Sequence, residues 1–235
     1  MPLPFFYISN YSGEKQLVLD EDTSRHIVQV LRMKEGGQLN LTDGKGNLLT
    51  CEISETGKKS CTVEVKAIEN QKPKIKNISI AISLLKNPSR FEWFLEKATE
   101  IGVSEIIPLI CERTEKEKFR HDRMNAICIS AMLQSQQCWL PVLHEPAHYE
   151  NVVMRKHENG IKLIAHCDEG NKQVISNLHS SEAAHYLICI GPEGDFTPSE
   201  ISLALQNNFQ PVSLGETRLR TETAGVVAAA LLMQL

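Results

Sequence analysis

The sequence has no long apolar run and no leader-like start. No stretch approaches the roughly 18 apolar residues that a membrane-spanning helix requires. The first residues, MPLPFFYISN, lack both the basic region and the long apolar run of a signal peptide. We therefore expect a soluble, cytoplasmic protein with no membrane partner.

Paired cysteines and an excess of positive charge are missing as well. The seven cysteines form no C-x-x-C motif, and their odd number argues against a disulfide framework, so we expect buried, reduced cysteines and no metal. The 25 basic and 29 acidic residues leave a net charge of −4. A dedicated nucleic-acid binder usually shows a basic excess, so any contact with RNA must come from local clusters of positive charge.

Residues 1–72 read as short strands separated by turns. Gln38–Thr42 alternates apolar and polar residues, and the turn 43–47 follows it. The exception is a helical segment over 24–33, with Ile27, Val30 and Leu31 expected on one face. Strands spaced this closely predict a small β-barrel.

Basic residues surround that helical segment. Arg25, His26, Arg32 and Lys34 are either a local patch that contacts RNA phosphates and bases or ordinary solvated charges on a helix. The residues alone leave both interpretations open.

Strands alternate with helices from residue 78 to residue 235. The polar, proline-containing segment 71–74 predicts a domain boundary, which we place between residues 72 and 73. The alternation predicts an α/β domain with a mostly parallel sheet covered by helices on both faces. The charged segment 112–123 is expected to be an exposed loop, and a helix is expected to run from Asp122 to Cys138.

Local signals mark the ends of two further helices. Asn87 and Pro88 suit the N-cap and first position of one helix, and Gly102 ends it. Thr197, Pro198 and Glu200 form a capping box for another.

Two short strands near the C-terminus end in glycine-containing loops. Tyr186–Ile190 precedes the loop GPEGDF (191–196), and the strand 211–214 precedes Gly215 and the segment LRTET (219–223). Ligands bind at the carboxyl edge of such sheets. The final helix, with Thr221 as its expected N-cap, is apolar all round over 224–232, so we expect it to be buried on every side.

The pairing of GPEGDF with LGETRLRTETA (214–224) resembles the C-terminal signature of the RsmE family, bacterial 16S ribosomal RNA uracil N3-methyltransferases of the SPOUT superfamily. The segment from Arg90 to Ile110 and the pair Gln134-Ser135 resemble the same family, as does, more weakly, the region from His26 to Arg32. The resemblance implies a deep trefoil knot in residues 73–235, a PUA-like RNA-binding β-barrel in residues 1–72, S-adenosylmethionine as cofactor, 16S rRNA or the small ribosomal subunit as substrate, and a homodimer.

The resemblance also implies site residues. Gly191, Gly194 and Gly215 are expected to leave room for the cofactor beside the main chain. The other expected cofactor contacts are Leu163, His166, Ile190, Glu193, Ser213, Leu214, Leu219, Arg220 and Thr223. The competing interpretation of His166 is a non-catalytic histidine whose hydrogen bonds are all made within the protein.

Methylation at uracil N3 requires loss of a proton, so the site needs a base or a cation that stabilises the uracil anion. Arg220 is the expected cation, and Glu193 or Glu222 the expected base. Glu222 is equally explained as a carboxylate at a helix N-terminus. Arg25, His26, Arg32 and Lys86 are the expected RNA contacts.

The chain departs from the family pattern after Gln134-Ser135. Gln136 and Gln137 replace the usual glycine and arginine, and Leu133 replaces an acidic residue. If that arginine contacts RNA, Lys86 or Arg113 must take its place.

Two alternatives to the leading function stay open. The first is a methyltransferase of the same fold that acts on another RNA position. The second is a non-catalytic RNA-binding protein with a vestigial cofactor pocket.

Overall fold

The computed structural model describes residues 3–57, 59–72, 76–155, 160–168, 172–175, 178 and 185–235. The chain forms two compact units, Met1–Pro73 with Met132–Leu140, and Lys74–Ala131 with Pro141–Leu235. The predicted boundary falls beside residues 73–75, which lie outside the described residues. The sequence did not indicate that residues 132–140 pack with the first unit, where the Gly46 N–H donates to the Cys138 carbonyl at 2.8 Å.

The first unit is built on a five-stranded sheet. The strands pair in the order β1-β3-β4-β5-β2, and all pairs except β1–β3 are antiparallel. Leu39 and Leu41 are buried while Asn40 between them is not, as the predicted alternation requires. The elements are β1 Phe5–Tyr7, β2 Gln16–Val18, α1 Glu21–Arg25, a π-helix His26–Val30, β3 Gln38–Thr42, β4 Asn47–Thr56 and β5 Cys61–Asn70.

The predicted helix over 24–33 is wrong in its bounds and in its buried face. Helical structure starts three residues earlier, where the Asp20 side chain accepts a hydrogen bond from the Thr23 N–H, and it continues as a π-helix only to Val30. Ile27 is fully buried, but Val30 is 64% exposed and Leu31 is 42% exposed. The wider turn of a π-helix changes which residues share a face, so α-helical spacing misassigned Val30 and Leu31.

The second unit holds one parallel sheet, as predicted. The elements are β6 Asn77–Ser83, α2 Pro88–Ile101, β7 Glu105–Ile110, α3 His121–Gln134, β8 Val142–Leu143, β9 Ala147–His148, α4 Tyr149–Val153, β10 Gly160–Ala165, β11 Gln173–Val174, β12 His185–Ile190, α5 Pro198–Gln206, β13 Gln210–Ser213 and α6 Thr221–Gln234. The strands pair in the order β11-β13-β10-β12-β6-β7-β8, and β9 also pairs with β7.

Helices cover both faces of this sheet. Ala81 of β6 belongs to the core that includes Tyr149 of α4 and Ile201 of α5. The next residue, Ile82, points to the opposite face. There it packs beneath Gly225 of α6, where an added Cβ would lie 2.8 Å from Ile82 Cδ1. The layered α/β architecture is therefore confirmed, and the knot stays a prediction of the family resemblance.

The helix caps follow the local sequence closely. Asn87 caps α2, Gly102 ends it with φ +96°, and the capping box of Thr197 and Glu200 starts α5. The predicted end of α3 at Cys138 is wrong, because the helix stops at Gln134. In the described part of the chain, none of the helices combines the length and apolar character that a membrane span requires.

The last helix differs from prediction at its start and on its surface. Its N-cap is Arg220 and not Thr221, which is already helical. The expectation of burial on every side is wrong for a single chain. Ala228 and Leu232 are buried, whereas Val227 is only half-buried and Ala230 is exposed.

Candidate active site

Three parallel strands of the second unit end side by side, and a cavity opens at their carboxyl ends. Ala165, the last residue of β10, pairs with Ile190 at the end of β12 and with Val212 near the end of β13. The loops that follow these strands enclose about 710 Å³. Pockets for small ligands typically span about 300–1,000 Å³, so the cavity is large enough for a nucleoside-sized molecule.

Most of the residues predicted to hold a cofactor line this cavity. They come from three separate loops, and the sheet brings them together because parallel strands share one carboxyl edge. The lining residues among those predicted are His166, Ile190, Gly191, Glu193, Ser213, Leu214, Gly215, Leu219 and Arg220.

Three predicted residues lie outside this cavity. Leu163 is fully buried within β10, between Ile188 of β12 and Gln210 of β13. A Cβ added at Gly194 would meet Arg113 Cδ at 3.2 Å, so this glycine makes room for an arginine of its own chain. Thr223 lines a neighbouring cavity. Spacing in the sequence placed these residues near the loops but did not show which way they face.

Gly215 has the backbone conformation that favours glycine. Its φ is +144°, and an added Cβ would have no neighbour within 4 Å. The Ser213 hydroxyl donates to the Gly215 carbonyl at 2.9 Å, which holds the loop in a tight turn. The main chain is thereby presented openly to the cavity.

Asp195 also lines the cavity, although the sequence pattern did not single it out. Its Oδ2 accepts the Cys167 N–H at 2.7 Å, and its Oδ1 accepts the Phe196 N–H at 2.8 Å. It also has a φ of +62°, which is uncommon outside glycine. One carboxylate therefore ties the loop after β12 to the loop after β10. Its position inside the GPEGDF motif was the available signal.

The charged segment after β7 is hydrogen-bonded to the loop after β12 and to the start of α5. An Arg113 N–H donates to the Gly194 carbonyl at 2.6 Å. Glu112 donates its backbone N–H to Glu200 Oε1 at 2.9 Å and accepts the Thr197 hydroxyl at 3.0 Å. The segment is exposed, as predicted, but Arg113 is engaged within the protein, which weakens its case as a replacement for the missing family arginine.

Glu193, one of the two carboxylates expected as a base, lies beside Lys86. The Lys86 backbone N–H donates to Glu193 Oε1 at 3.2 Å, while the Lys86 side chain pairs with Glu115 at 2.7 Å. The hydrogen bond from Lys86 to Glu115 raises the pKa of Lys86 above its usual value. The Glu193 carboxylate, expected to act on uracil, and the Lys86 ammonium, expected to contact RNA, therefore both already have partners within the protein.

His166, in contrast to Glu193 and Lys86, has a side-chain atom without a partner among the described residues. Its Nδ1 is buried and has no hydrogen-bond partner among the described residues. Burial lowers the pKa of this imidazole, and the charge of Lys172 lowers it further. A neutral ring with an unpaired nitrogen in a cavity wall is suited to hydrogen bonding with a ligand.

Arg220 and Glu222 follow one another at the start of α6 but differ in exposure. Arg220 is exposed and lines the cavity. Glu222 is only 6% exposed, and its Oε1 lies 3.7 Å from Arg90 Nε. The catalytic role of Arg220 stays a prediction.

The predicted RNA patch of the first unit is only partly free. Arg25 is paired with Glu21 at 3.0 Å and with Asp22 at 3.3 Å, so two neighbouring carboxylates offset its positive charge at this surface. Arg32 adopts a φ of +54°, and the His26 ring packs edge-on against Phe6 with 5.8 Å between centroids. Their binding of RNA stays a prediction.

The sequence and the fold are similar to those of known RNA methyltransferases. The family described as "RNA methyltransferase domain" matches residues 71–233, and "RNA methyltransferase PUA domain" matches residues 19–66. The chain is 30% identical over 219 residues to ribosomal RNA small subunit methyltransferase E of Bacillus subtilis, covering 86% of this chain and 84% of that one.

Two solved structures share the whole fold. A probable rRNA methyltransferase from Porphyromonas gingivalis superposes with a TM-score of 0.91 at 39% identity, covering 99% of this chain and 98% of that one. Ribosomal RNA small subunit methyltransferase E from Neisseria gonorrhoeae, bound to S-adenosyl methionine, superposes with a TM-score of 0.88 at 29% identity, covering 99% and 97%.

Proposed function

The chain belongs to the RsmE family of ribosomal RNA methyltransferases, and from this premise we propose that it transfers a methyl group from S-adenosylmethionine to N3 of a uracil in 16S ribosomal RNA. The observation that carries the proposal is the cavity at the carboxyl ends of β10, β12 and β13. Its walls are the two glycine loops whose sequences carry the family signature. Since the proposed substrate is ribosomal RNA, we place its action in the cytoplasm.

The residues of the cavity fit S-adenosylmethionine. Ile190, Leu214 and Leu219 line the cavity, their main-chain groups are the proposed contacts for the edges of an adenine, and a Cβ added at Gly215 would meet nothing within 4 Å. In the tautomer with its proton on Nε2, the unpartnered Nδ1 of His166 is the proposed acceptor for a ribose hydroxyl. When bound, the cofactor supplies an electrophilic methyl group on a sulfonium sulfur.

The target base needs help from the protein because uracil N3 carries a proton. Arg220 is exposed at the cavity wall, where its guanidinium would stabilise negative charge that develops on uracil. Glu193 lines the same cavity and stays a candidate base, although one of its oxygens already accepts the Lys86 N–H. N3 is buried in a base pair, so the nucleotide must be unpaired or flipped out.

The first unit is proposed to hold the RNA. Arg32 and His26 present a cation and an imidazole beside the exposed side chains of Val30 and Leu31. Apolar and basic groups together suit unpaired bases and their phosphates. Lys86 in the second unit is a further proposed phosphate contact, at 64% side-chain exposure.

We also propose a homodimer that uses the outer face of α6. Val226, Val227 and Leu231 are only half-buried within one chain, and Ala230 is exposed. A second copy would cover this apolar stripe. Light scattering at micromolar concentration should give twice the mass of 26.4 kDa, and a monomer would contradict the dimer.

Mass spectrometry of ribosomal RNA tests the proposed function. RNA from a strain that lacks this protein should lose one N3-methyluridine from 16S rRNA, and purified protein with S-adenosylmethionine should restore it on isolated small subunits. A methyl group lost from another position would identify a different target. No lost methyl group, together with no cofactor binding in calorimetry, would indicate a non-catalytic protein.

A further inference from the structure

A second cavity adjoins the proposed cofactor cavity. It encloses about 570 Å³ between the starts of α2 and α6. The two cavities share the lining residues Arg90, Arg218, Leu219 and Arg220, so a molecule in one would be adjacent to a molecule in the other. A methyl acceptor must occupy such a neighbouring position, because the reacting atoms have to approach to about 3–3.5 Å.

Glu222 is the most unusual residue of the second cavity. It lines the cavity but is only 6% exposed, and among the described residues Oε2 has no hydrogen-bond partner. The Arg90 guanidinium lies 3.7 Å from the other oxygen, too far for a hydrogen bond. A buried carboxylate oxygen without a donor is costly, and each such case in a native protein requires an explanation.

The position of Glu222 at a helix N-terminus explains only part of why its carboxylate is buried. The helix dipole favours a carboxylate in the first turn of α6. The dipole, however, supplies no N–H to Oε2. An oxygen that stays unpaired in the free protein is explained if its donor arrives with a ligand.

The remaining walls suit a pyrimidine. Trp93 of α2 is 42% exposed, which is unusual for so large an apolar side chain, and it lines this cavity. A flipped base stacks on exposed aromatic rings. Uracil presents an N3–H donor between two carbonyl acceptors, and the cavity offers the complementary groups in the Glu222 carboxylate and the guanidiniums of Arg90 and Arg220.

We propose that this cavity is the pocket for the target uracil and that Glu222 is the base that removes the N3 proton of that uracil. This inference rests on the proposed function. Oε2 exposes less than 1 Å². A partial rotation about the terminal side-chain torsion, which is broad in glutamate, would turn this oxygen toward the cavity that Glu222 already lines.

The proposed step is balanced. Glu222 takes the N3 proton and becomes a neutral carboxylic acid. The electron pair on N3 forms a bond to the methyl carbon, while the bond between that carbon and the sulfonium sulfur breaks and its electron pair stays on sulfur. The proton then passes from Glu222 to water. Cytosine is excluded because its N3 has a lone pair, which would face the carboxylate.

Fluorescence tests the pocket without any methyl transfer. The chain has two tryptophans, so a Trp139→Phe protein reports on Trp93 alone. Uridine monophosphate should quench this fluorescence at least about 10-fold more tightly than cytidine monophosphate, as one mismatched buried hydrogen bond requires. An oligonucleotide with one unpaired uridine should quench at lower concentration than the free nucleotide. Glu222→Gln should remove the preference for uridine, because an amide can donate to cytosine N3.

Kinetics test the role of Glu222. Glu222→Gln should slow methylation about 10²–10⁴-fold while calorimetry gives an unchanged affinity for S-adenosylmethionine. Its rate should recover as pH rises, because uracil then ionises without a base, whereas a purely structural defect would not recover. Trp93→Ala should raise the KM for RNA, and Trp93→Phe should restore it. Glu96→Gln, on the exposed surface of α2, is the matched control and should behave as wild type.

The outcomes separate this inference from the proposed function. Methylation by wild type with no quenching by uridine, or with full activity in a folded Glu222→Gln protein, overturns the pocket and leaves the function standing. Selective quenching by uridine in a protein that methylates no ribosomal RNA supports the pocket and overturns the function. If Glu222→Gln does not fold, the quenching and the Trp93 variants still decide the proposal.

Discussion

The two ends of the parallel sheet in the second unit differ in how their polar side chains are paired. At the amino end, Glu105 accepts hydrogen bonds from the Ser79 hydroxyl and from His144, the latter at 2.6 Å, and the Ser79 oxygen lies 2.9 Å from His185 Nε2. At the carboxyl end, His166 Nδ1 has no partner among the described residues, and neither does Glu222 Oε2 at the start of α6.

We interpret this difference as one between polar groups that stabilise the fold and polar groups proposed to bind a ligand. Protein folding favours buried polar groups that satisfy one another, as the network at the amino end does. A ligand that supplies the missing partner is one explanation for a buried polar group left unpaired. Two of the three buried side-chain atoms without partners in the described part of the chain are at the carboxyl end, and the third, Trp139 Nε1, is in the first unit.

Among the variants that test this comparison, Arg220→Ala should have the largest effect. The guanidinium is exposed at the cavity wall, so its loss should leave cofactor affinity nearly unchanged in calorimetry. The rate of RNA methylation should fall about 10²–10³-fold, as is typical when one group that stabilises transition-state charge is removed. Loss of cofactor binding in a folded protein would show that Arg220 holds the ligand instead. Lys97→Ala, on α2, is the control for a lost positive charge.

Glu105→Gln should break the network at the amino end. The variant loses the charge that His144 faces, and we expect the free energy of unfolding in urea to drop by about 1–3 kcal/mol. The specific activity of the folded fraction should not change, because the residue is at the opposite end of the sheet. Lower activity at unchanged stability would show that the two ends are not separate in function.

Acid should destabilise the protein partly through the same carboxylate. Burial raises the pKa of Glu105, but the hydrogen bonds from Ser79 and His144 outweigh it and hold the pKa below its usual value of 4.5. A lowered folded-state pKa stabilises the protein above the unfolded-state value, and this stabilisation is lost as pH falls through the folded-state pKa. Unfolding curves of wild type and Glu105→Gln should therefore converge below about pH 4.5. A constant difference at all pH values would contradict this.

His166→Ala should have the smallest effect. Loss of one neutral hydrogen bond costs about 0.5–1.5 kcal/mol, so the Kd for S-adenosylmethionine should rise about 2–12-fold with unchanged stability. Because burial lowers its pKa, the ring is neutral at pH 7, and protonation would remove the acceptor at Nδ1. Wild-type affinity should therefore weaken only as pH falls below 6.5, and the variant should not show this dependence. Equal pH dependence in both proteins would exclude His166 as an acceptor.

Local motifs were predicted well and surfaces poorly. The caps of α2 and α5 depend on residues within one helical turn, so Asn87 and Thr197 could be assigned from their neighbours. The exposure of Val30 depends on the π-helix, and the strand β1 is only three residues long, which leaves little periodicity to detect. The directions of Gly194 and Leu163 depend on residues far away in the sequence.

The sequence by itself determined the family, the alternation of strands and helices, and the loops that form the cavity, because each is encoded by consecutive residues. Only the tertiary structure decided that Trp93 and Glu222 share a cavity. Their helices meet because Gly225 has no side chain, since a Cβ there would lie 2.6 Å from Phe94 Cε2. The packing of α6 against α2 therefore assembles the second cavity from segments that no local pattern connects.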